Sequence, residues 1–183
     1  MLEMRVVVRK VEKNREDYIY ESLIRYFDII KKAHLVLPIN SIYEVYHHLG
    51  YENYDKEGAL FVKAVNKEYC KSYAILLPGQ KYPAHYHKIK KETFFALYGD
   101  IEIVKEGERF KLNPGEMLNV ERLEEHSFST QNGAAFEELS TAYLRNDSIY
   151  LNRDIMGKYY GLRKTVVKND EWERMKSERG CKC

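Results

Sequence analysis

Two histidines and a glutamate in the stretch GQKYPAHYHKIKKETFFALYG, residues 79–99, have the types and spacing of a metal site. His85 and His87 are one residue apart, so both imidazoles point to one face if the chain is extended there. Four residues separate His87 from Glu92, and a turn over 88–91 followed by a returning strand would place the Glu92 carboxylate opposite the imidazoles. Two nitrogen donors and one oxygen donor on a single face form most of a site for a divalent transition metal. The alternative for any one histidine is a solvated or hydrogen-bonded side chain.

The spacing of these residues between two glycines resembles the first motif of the cupin superfamily. The resemblance implies a fourth ligand from a second motif one hairpin later, and His126 in EEHSFST stands at that place. The second motif departs from the family pattern, because Glu-Arg-Leu at 121–123 replaces the usual Pro-x-Gly. A cupin that keeps the fold and binds nothing is the alternative. The ligand set that the resemblance implies for one divalent ion, with Mn expected and Fe, Co, Ni or Zn also compatible, is His85, His87, Glu92 and His126.

Two further residues match a narrower family. Lys90 gives the first motif the form H-x-H-x-x-K-x-E, and Glu138 stands two residues before Ser140 in FEELSTAYLRND. Both features are similar to the D-lyxose isomerase-like family of metal-dependent sugar isomerases, in which such a lysine and glutamate line the site beside the metal. The resemblance covers roughly 65–152 and implies an aldose–ketose isomerase acting on a pentose, a hexose or a sugar derivative.

The chemistry of that reaction suits these residue types. Aldose–ketose interconversion removes a proton from the carbon next to a carbonyl and returns it to the neighbouring carbon through an enediol. A divalent metal that holds both oxygens stabilises the developing negative charge, and two titratable groups handle the protons. Glu138 would be the base. Lys90, beside a cation and partly desolvated, would have a lowered pKa and would act as the acid or hold an oxygen.

Other functions stay open at this point. The segments NKEYCKSYAILLPGQ and FEELST, with NDS further along the chain, also resemble cupins found beside sialic-acid-type synthases. That resemblance implies a sugar-binding or accessory protein of a surface-polysaccharide or nonulosonic-acid pathway. An iron-dependent dioxygenase is a third hypothesis. The plain interpretation of Lys90 is a solvated loop lysine, and that of Glu138 is a structural hydrogen-bonding residue.

Composition limits the classes of protein. The chain has 183 residues, of which 44% are hydrophobic, so we expect one folded domain with appended segments. A net charge of +2 argues against a dedicated nucleic-acid binder. Three cysteines do not make a disulfide framework, which suits the cytoplasm, and no apolar run reaches the ~20 residues of a membrane span. We expect a cytoplasmic homodimer whose partner is a small-molecule sugar.

Short runs rich in Val, Ile, Phe, Tyr and Thr, separated by turn signals, fill the middle of the chain. Their rhythm predicts an antiparallel barrel or sandwich. Together with the resemblance, it predicts an all-β core, a jelly-roll-like cupin β-barrel over 58–155 preceded by α-helices. The runs are ALFVKAV, SYAILL, TFFALY, IEIVKEG, RFKL, MLNVE, HSFST and AAFEELSTA.

The first segment, 1–57, is predicted to be a helical extension. Residues 5–11 alternate weakly and could form a short strand. Asn14 is a candidate N-cap for an amphipathic helix over 15–33, whose apolar side we expect to pack on the barrel or on a partner subunit. The apolar stripe consists of Tyr20, Leu23, Ile24, Phe27 and Ile30.

A second short helix is predicted over 41–49, with Gly50 as its C-terminal cap. His47 and His48 lie near its end, where the helix dipole favours cations, and we expect them at the surface.

The last segment, 156–183, is predicted to be a C-terminal extension. Its basic residues indicate a solvated tail or a clip onto a neighbouring subunit, with a short helix starting near Asn169. Cys181 and Cys183 lack the second pair that a zinc site of this kind needs.

Overall fold

A computed structural model describes residues 14–141, 144 and 146–180. The predicted strand at 5–11 and the two terminal cysteines lie outside these residues. The first helix, α1, spans Arg15–Lys32, close to the predicted bounds. The side chain of Asn14 accepts a hydrogen bond from the backbone N–H of Asp17 at 2.9 Å, which confirms the predicted N-cap.

The remaining elements follow in chain order. The strands are β1 (Ile42–Tyr46), β2 (Ala59–Asn66), β3 (Tyr69–Leu76), β4 (Lys81–His87), β5 (Glu92–Gly99), β6 (Ile101–Lys105), β7 (Glu108–Leu112), β8 (Met117–Val120), β9 (His126–Ser129), β10 (Ala134–Thr141), β11 (Ser148–Tyr150) and β12 (Lys164–Lys168). The other helices are α2 (Arg153–Met156) and α3 (Asn169–Glu178), with 3-10 turns at Tyr51–Asn53 and Tyr160–Leu162.

The strands form two antiparallel sheets with a shared apolar core. The large sheet has the order β12-β1-β2-β3-β10-β5-β8, and the small sheet has the order β11-β4-β9-β6-β7. Buried side chains of the large sheet, such as Phe61 and Phe136, pack in one cluster with Tyr82 and Phe128 of the small sheet. The predicted antiparallel β architecture is therefore confirmed.

The two long helices cover the outer face of the large sheet. Leu23 and Tyr26 of α1 are fully buried and belong to a second apolar cluster with strand residues of that sheet. Trp172 of α3 is buried and stacks on Phe27 of α1 with ring centroids 5.2 Å apart. This confirms that α1 packs on the barrel. Within the described part of the chain, no helix combines the length and the apolar character that crossing a membrane requires.

The C-terminal extension is not a solvated tail. Its strand β12 pairs with β1, and Trp172 is only 2% exposed. The basic residues of this segment led to the wrong prediction, because Lys168, Arg174 and Arg179 are exposed while Arg163, Lys164 and the apolar side of α3 are buried.

The predicted second helix over 41–49 is also wrong. Residues 42–46 form β1, which pairs with β2 on one side and with β12 on the other. Aromatic and β-branched side chains favour a strand here, and two neighbouring strands offer ladder hydrogen bonds that outweigh weak helical periodicity. Gly50 has φ of 100° and follows the strand instead of capping a helix.

His47 and His48 are buried rather than at the surface. Nε2 of His48 lies 2.9 Å from the hydroxyl of Tyr150, and Nε2 of His47 lies 3.0 Å from that of Thr165. Burial lowers the pKa of His47 to about 4 and the pKa of His48 to about 3. Both imidazoles are thus neutral near pH 7.

The division of the chain into a barrel over 58–155 and two flanking segments stays a prediction. Strands β1 and β12, which belong to the flanking segments, extend the large sheet.

Candidate metal centre

Two neighbouring strands of the small sheet supply the three histidines. His85 on β4 lies directly opposite His126 on β9 in the strand register. His85 and His87 are both buried, whereas Tyr86 between them is half-buried, as expected for side chains on opposite faces of a strand. The predicted common face of the two imidazoles is therefore confirmed.

Glu92 reaches this group from the other sheet. We expected β5 to return beside β4, but the described strands place β5 between β10 and β8 in the large sheet. Residues 88–91 therefore cross between the sheets and do not close a hairpin. The carboxylate of Glu92 still faces the imidazoles, because the inner faces of the two sheets oppose each other.

The four donor atoms converge on one buried point. One ligand atom from each of the four residues lies within 4.8 Å of all the others. Oε2 of Glu92 is 3.3 Å from Nε2 of His87 and 3.1 Å from Nε2 of His126. Each side chain is at most 4% exposed. A single small cation at this point would contact three nitrogens and one oxygen.

Backbone carbonyls fix the orientation of all three imidazoles. A carbonyl oxygen can only accept a hydrogen bond, so the Nδ1 atom facing it carries a proton, and in the neutral form of each imidazole Nε2 keeps its lone pair. Each Nε2 is thereby available to a metal, the usual arrangement around histidine ligands. The Nδ1–oxygen distances are 2.9 Å from His85 to Pro83, 3.2 Å from His87 to Asp147 and 3.1 Å from His126 to Glu124.

Three of the four donor atoms lack a hydrogen-bond partner within the part of the chain that the structure describes. Nε2 of His87, Nε2 of His126 and Oε2 of Glu92 are buried without a hydrogen-bond partner among the described residues. Such atoms are costly in a folded protein unless something satisfies them. Three lone-pair nitrogens beside a carboxylate oxygen cannot satisfy one another, whereas a divalent cation satisfies all of them. The residues present therefore fit a metal ion, and this cluster could hold one.

The protonation states also suit a metal. Burial, followed by the neighbouring imidazoles of His126 and His87, holds the pKa of His85 well below its usual value. Burial alone would raise the pKa of Glu92, but Lys90 and His87 outweigh it and hold that pKa well below the usual range. A neutral imidazole and an ionised carboxylate are the forms that bind metal.

Lys90 and Glu138 lie beside this cluster. Nζ of Lys90 donates to Oε1 of Glu138 at 3.1 Å and also contacts Oε1 of Glu92. Lys90 and Glu138 are buried, whereas Lys88 and Lys91 are exposed. The motif in the sequence therefore identified the lysine of this loop whose side chain is buried.

The pKa of Lys90 differs from the expectation. Burial alone would lower it, but the carboxylates of Glu138 and Glu92 outweigh burial and raise the pKa above its ordinary value. The expected lowering is wrong in this structure because two anions contact the ammonium group. The two carboxylates therefore stabilise the protonated form of Lys90.

Asp147 is a supporting residue that the sequence did not indicate. Its carboxylate accepts backbone N–H groups of Lys88, Ile89 and Lys90, each at 3.0 Å, and its carbonyl accepts from His87. It therefore holds the crossing segment and one ligand together. Asp147 is distant from this segment in the sequence, so only the tertiary structure reveals its role.

Replacing Asp147 with asparagine is expected to weaken metal affinity by about 10- to 100-fold, the usual effect of losing an outer-shell partner. The amide keeps one oxygen but turns an N–H₂ group towards backbone donors. Titration with Mn²⁺ or Zn²⁺ against a competing chelator measures the change. Asp154→Asn, at an exposed position of α2, is the matched control. Equal affinity in the two variants would show that Asp147 does not support the site.

The cluster opens on a narrow cavity between the sheets. Its volume is about 20 Å³, and Tyr46, Lys63 and Ser148 line it together with all of the candidate residues except His126. None of these three was singled out from the sequence. A larger groove of about 700 Å³ lies between α1 and α3, but it is mainly apolar and contains none of the candidate residues. The small polar cavity is therefore the candidate site.

Comparison with known proteins supports the fold. Residues 72–139 match the Cupin_2 family model, a cupin domain. L-ribose isomerase from Cellulomonas parahominis superimposes with a TM-score of 0.64 at 13% identity, over 79% of this chain and 95% of that one. L-ribose isomerase from Geodermatophilus obscurus gives 0.62 at 13% identity, over 79% and 94%. No curated protein matches the sequence of this chain. Residues 72–139 therefore match a cupin domain, and the chain shares its overall fold with these solved isomerases.

Proposed function

We propose that this protein is a metal-dependent sugar isomerase that interconverts an aldose and a ketose through an enediol. The observation that carries the proposal is the buried Glu138 carboxylate, which lies beside a four-donor cluster and is held by Lys90. A module that only binds sugar has no use for a base at this place. The solved L-ribose isomerases support the proposal at the level of the fold.

Four residues would hold the metal: His85, His87, Glu92 and His126. When bound there, a divalent ion supplies Lewis-acid stabilisation of negative charge on the sugar oxygens. We expect Mn²⁺, although the donor set also suits other first-row metals.

Glu138 would move the proton. Its position on β10, between β3 and β5 in the large sheet, gives the carboxylate a rigid support. In the proposal, Glu138 takes the proton from the carbon next to the carbonyl and returns it to the carbonyl carbon, while the hydroxyl proton passes between the two neighbouring sugar oxygens. Lys90 would orient that carboxylate and donate a hydrogen bond to a substrate oxygen, without giving up its own proton. A sugar needs more room than about 20 Å³, so the cavity must widen when substrate binds.

Proton exchange with deuterated water tests the proposal. We expect the Mn²⁺-loaded protein to exchange the C2 proton of at least one sugar in a panel of pentoses, hexoses and their phosphates, with the matching ketose appearing in the NMR spectrum. Exchange reports proton abstraction directly and does not require a guess about the product. No exchange across the panel would overturn the isomerase and favour the alternative function.

The alternative is a sugar-binding accessory protein, and the small volume of the cavity favours it. In that case Lys90 and Glu138 form a structural ion pair. An iron-dependent dioxygenase is the weaker candidate, and oxygen uptake by the iron-loaded protein with the same sugars would separate it from both.

A further inference from the structure

Three polar side chains form a buried hydrogen-bonded chain beside the candidate metal centre, and the proposed reaction uses none of them. The hydroxyl of Tyr82 lies 2.9 Å from the hydroxyl of Tyr150, which lies 2.9 Å from Nε2 of His48. All three residues are buried. The rings of Tyr82 and Tyr150 also pack against the imidazole of His85, each with centroids 5.3 Å apart. The chain therefore lies directly beside a candidate ligand.

One end of this hydrogen-bonded chain belongs to the cavity. Tyr82 lines the cavity together with Glu138, whereas Tyr150 and His48 lie behind Tyr82 and do not line it. A phenol is protonated near neutral pH, so the Tyr82 hydroxyl has one proton to donate and lone pairs that accept. Which of these it offers to the cavity depends on the direction in which the three groups donate.

The tautomer of His48 sets that direction. Burial lowers the pKa of His48 to about 3, so the neutral ring carries one proton. Nδ1 has no hydrogen-bond partner among the described residues, and a buried N–H without an acceptor is rare in folded proteins. Nζ of Lys158 lies 3.1 Å from the carbonyl oxygen of His48, and this cation near the main chain favours a lone pair at Nδ1, the ring nitrogen closer to the main chain. The proton therefore lies on Nε2, which donates to Tyr150.

Tyr150 passes the direction on to Tyr82. Its oxygen accepts from His48, and its one proton needs a different acceptor. Within the described part of the chain, the oxygen of Tyr82 is the acceptor in reach of that proton. Tyr82 therefore accepts from Tyr150, and the described residues offer no acceptor for the proton of Tyr82 itself. That proton is the last donor of the chain, and it belongs to a residue that lines the cavity.

We propose that Tyr82 donates a hydrogen bond to an oxygen atom of the sugar, and that Tyr150 and His48 are positioning residues that aim this donor into the cavity. The inference rests on the proposed function, because it assigns a substrate contact in that same cavity. Hydroxyl and carbonyl oxygens of a sugar both accept such a bond. A donor that is already oriented loses little conformational freedom when the ligand binds.

The tautomer of His48 tests the direction of the chain without any sugar. Isotope-labelled wild-type protein, with Zn²⁺ present, is assigned by triple-resonance NMR, and the ring protons of each histidine are then correlated with its ring nitrogens. We expect the proton of His48 on Nε2, whereas the three candidate ligands carry theirs on Nδ1. A proton on Nδ1 of His48 would overturn the proposal, because Tyr150 would then donate to His48 and Tyr82 would donate to Tyr150.

Tyr82→Phe tests the contact itself, because phenylalanine keeps the packed ring and removes only the hydroxyl. The ligand is sorbitol, which has no carbonyl and cannot be isomerised. By calorimetry with Mn²⁺ present, we expect sorbitol to bind about three- to tenfold more weakly to Tyr82→Phe than to wild type, the effect of losing one neutral hydrogen bond. Tyr86→Phe, on the same strand but outside the cavity, is the matched control and should bind as wild type does. Equal affinity of Tyr82→Phe and wild type, or no binding of sorbitol to wild type, would overturn the contact.

Monodeoxy analogues of sorbitol separate a direct contact from a packing effect. Tyr82→Phe should leave the affinity for one analogue unchanged, because that analogue already lacks the oxygen that Tyr82 contacts. Equal weakening of sorbitol and all the analogues would overturn the contact. Tyr150→Phe should weaken sorbitol binding to wild type but add nothing to Tyr82→Phe, and a further loss in the double variant would overturn the positioning role.

The contact and the isomerase can fail separately. Weaker sorbitol binding to Tyr82→Phe, without C2-proton exchange on any sugar by wild type, would overturn the isomerase and support the contact. Exchange by wild type, together with equal sorbitol affinity of wild type and Tyr82→Phe, would overturn the contact and support the isomerase.

Discussion

Glu138→Gln is expected to lower C2-proton exchange by about 100-fold or more, the contribution expected of a general base. Glutamine has the same shape and can still accept a hydrogen bond from Lys90, so the fold and the four-donor cluster are expected to persist. What it lacks is the ability to take a proton. Exchange rates by NMR, measured on a sugar that the wild-type protein turns over, give the comparison.

Glu137→Gln is the matched control on the same strand. Glu137 pairs with Lys71 at 2.7 Å and does not line the cavity, so its replacement is expected to leave exchange almost unchanged. Elemental analysis must show the same metal content in wild type and in both variants. If Glu138→Gln exchanges as fast as wild type with full metal content, Glu138 is not the base.

His87→Ala is expected to remove the metal. The wild-type protein should contain one divalent ion per chain, or take one up from added Mn²⁺, Co²⁺, Ni²⁺ or Zn²⁺. Loss of a direct ligand should weaken binding by more than the roughly 10- to 100-fold of an outer-shell loss. Elemental analysis after gel filtration measures metal content.

His34→Ala controls for the loss of any histidine, because His34 is exposed and lies outside the cluster. It should keep the wild-type metal content. A wild-type protein that takes up none of the four metals would contradict the metal centre. Equal metal content in His87→Ala and wild type would remove His87 from the ligand set.

Local sequence predicted most of the core strands. Runs such as AAFEELSTA combine strand-forming residues with turn signals, and β10 covers Ala134–Thr141. The residues of β1 were predicted to be helical. Their strand conformation depends on pairing with β2 and β12, and local sequence does not reveal that pairing. The burial of α3 depends on long-range packing in the same way, since Trp172 stacks on Phe27 of α1 and belongs to an apolar cluster that includes strand residues of the large sheet.

The candidate site was predictable where the spacing of residues determines geometry. Alternation along a strand placed His85 and His87 on one face. The position of Glu92 on the opposite sheet was not predictable from spacing, because a short crossing segment and a hairpin turn have similar lengths. The raised pKa of Lys90 follows from two carboxylates that the chain brings together from different strands. The supporting role of Asp147 also depends on tertiary contacts.

The metal dependence of proton exchange tests the central claim most directly. The wild-type protein is treated with EDTA, dialysed and measured before and after one equivalent of Mn²⁺ is restored, with the most active sugar of the panel in deuterated water. We predict that the metal-free protein stays folded and exchanges the C2 proton at least about 100-fold more slowly, and that Mn²⁺ restores the rate. Exchange that continues unchanged without metal, or no exchange in either form, would contradict a metal-dependent sugar isomerase.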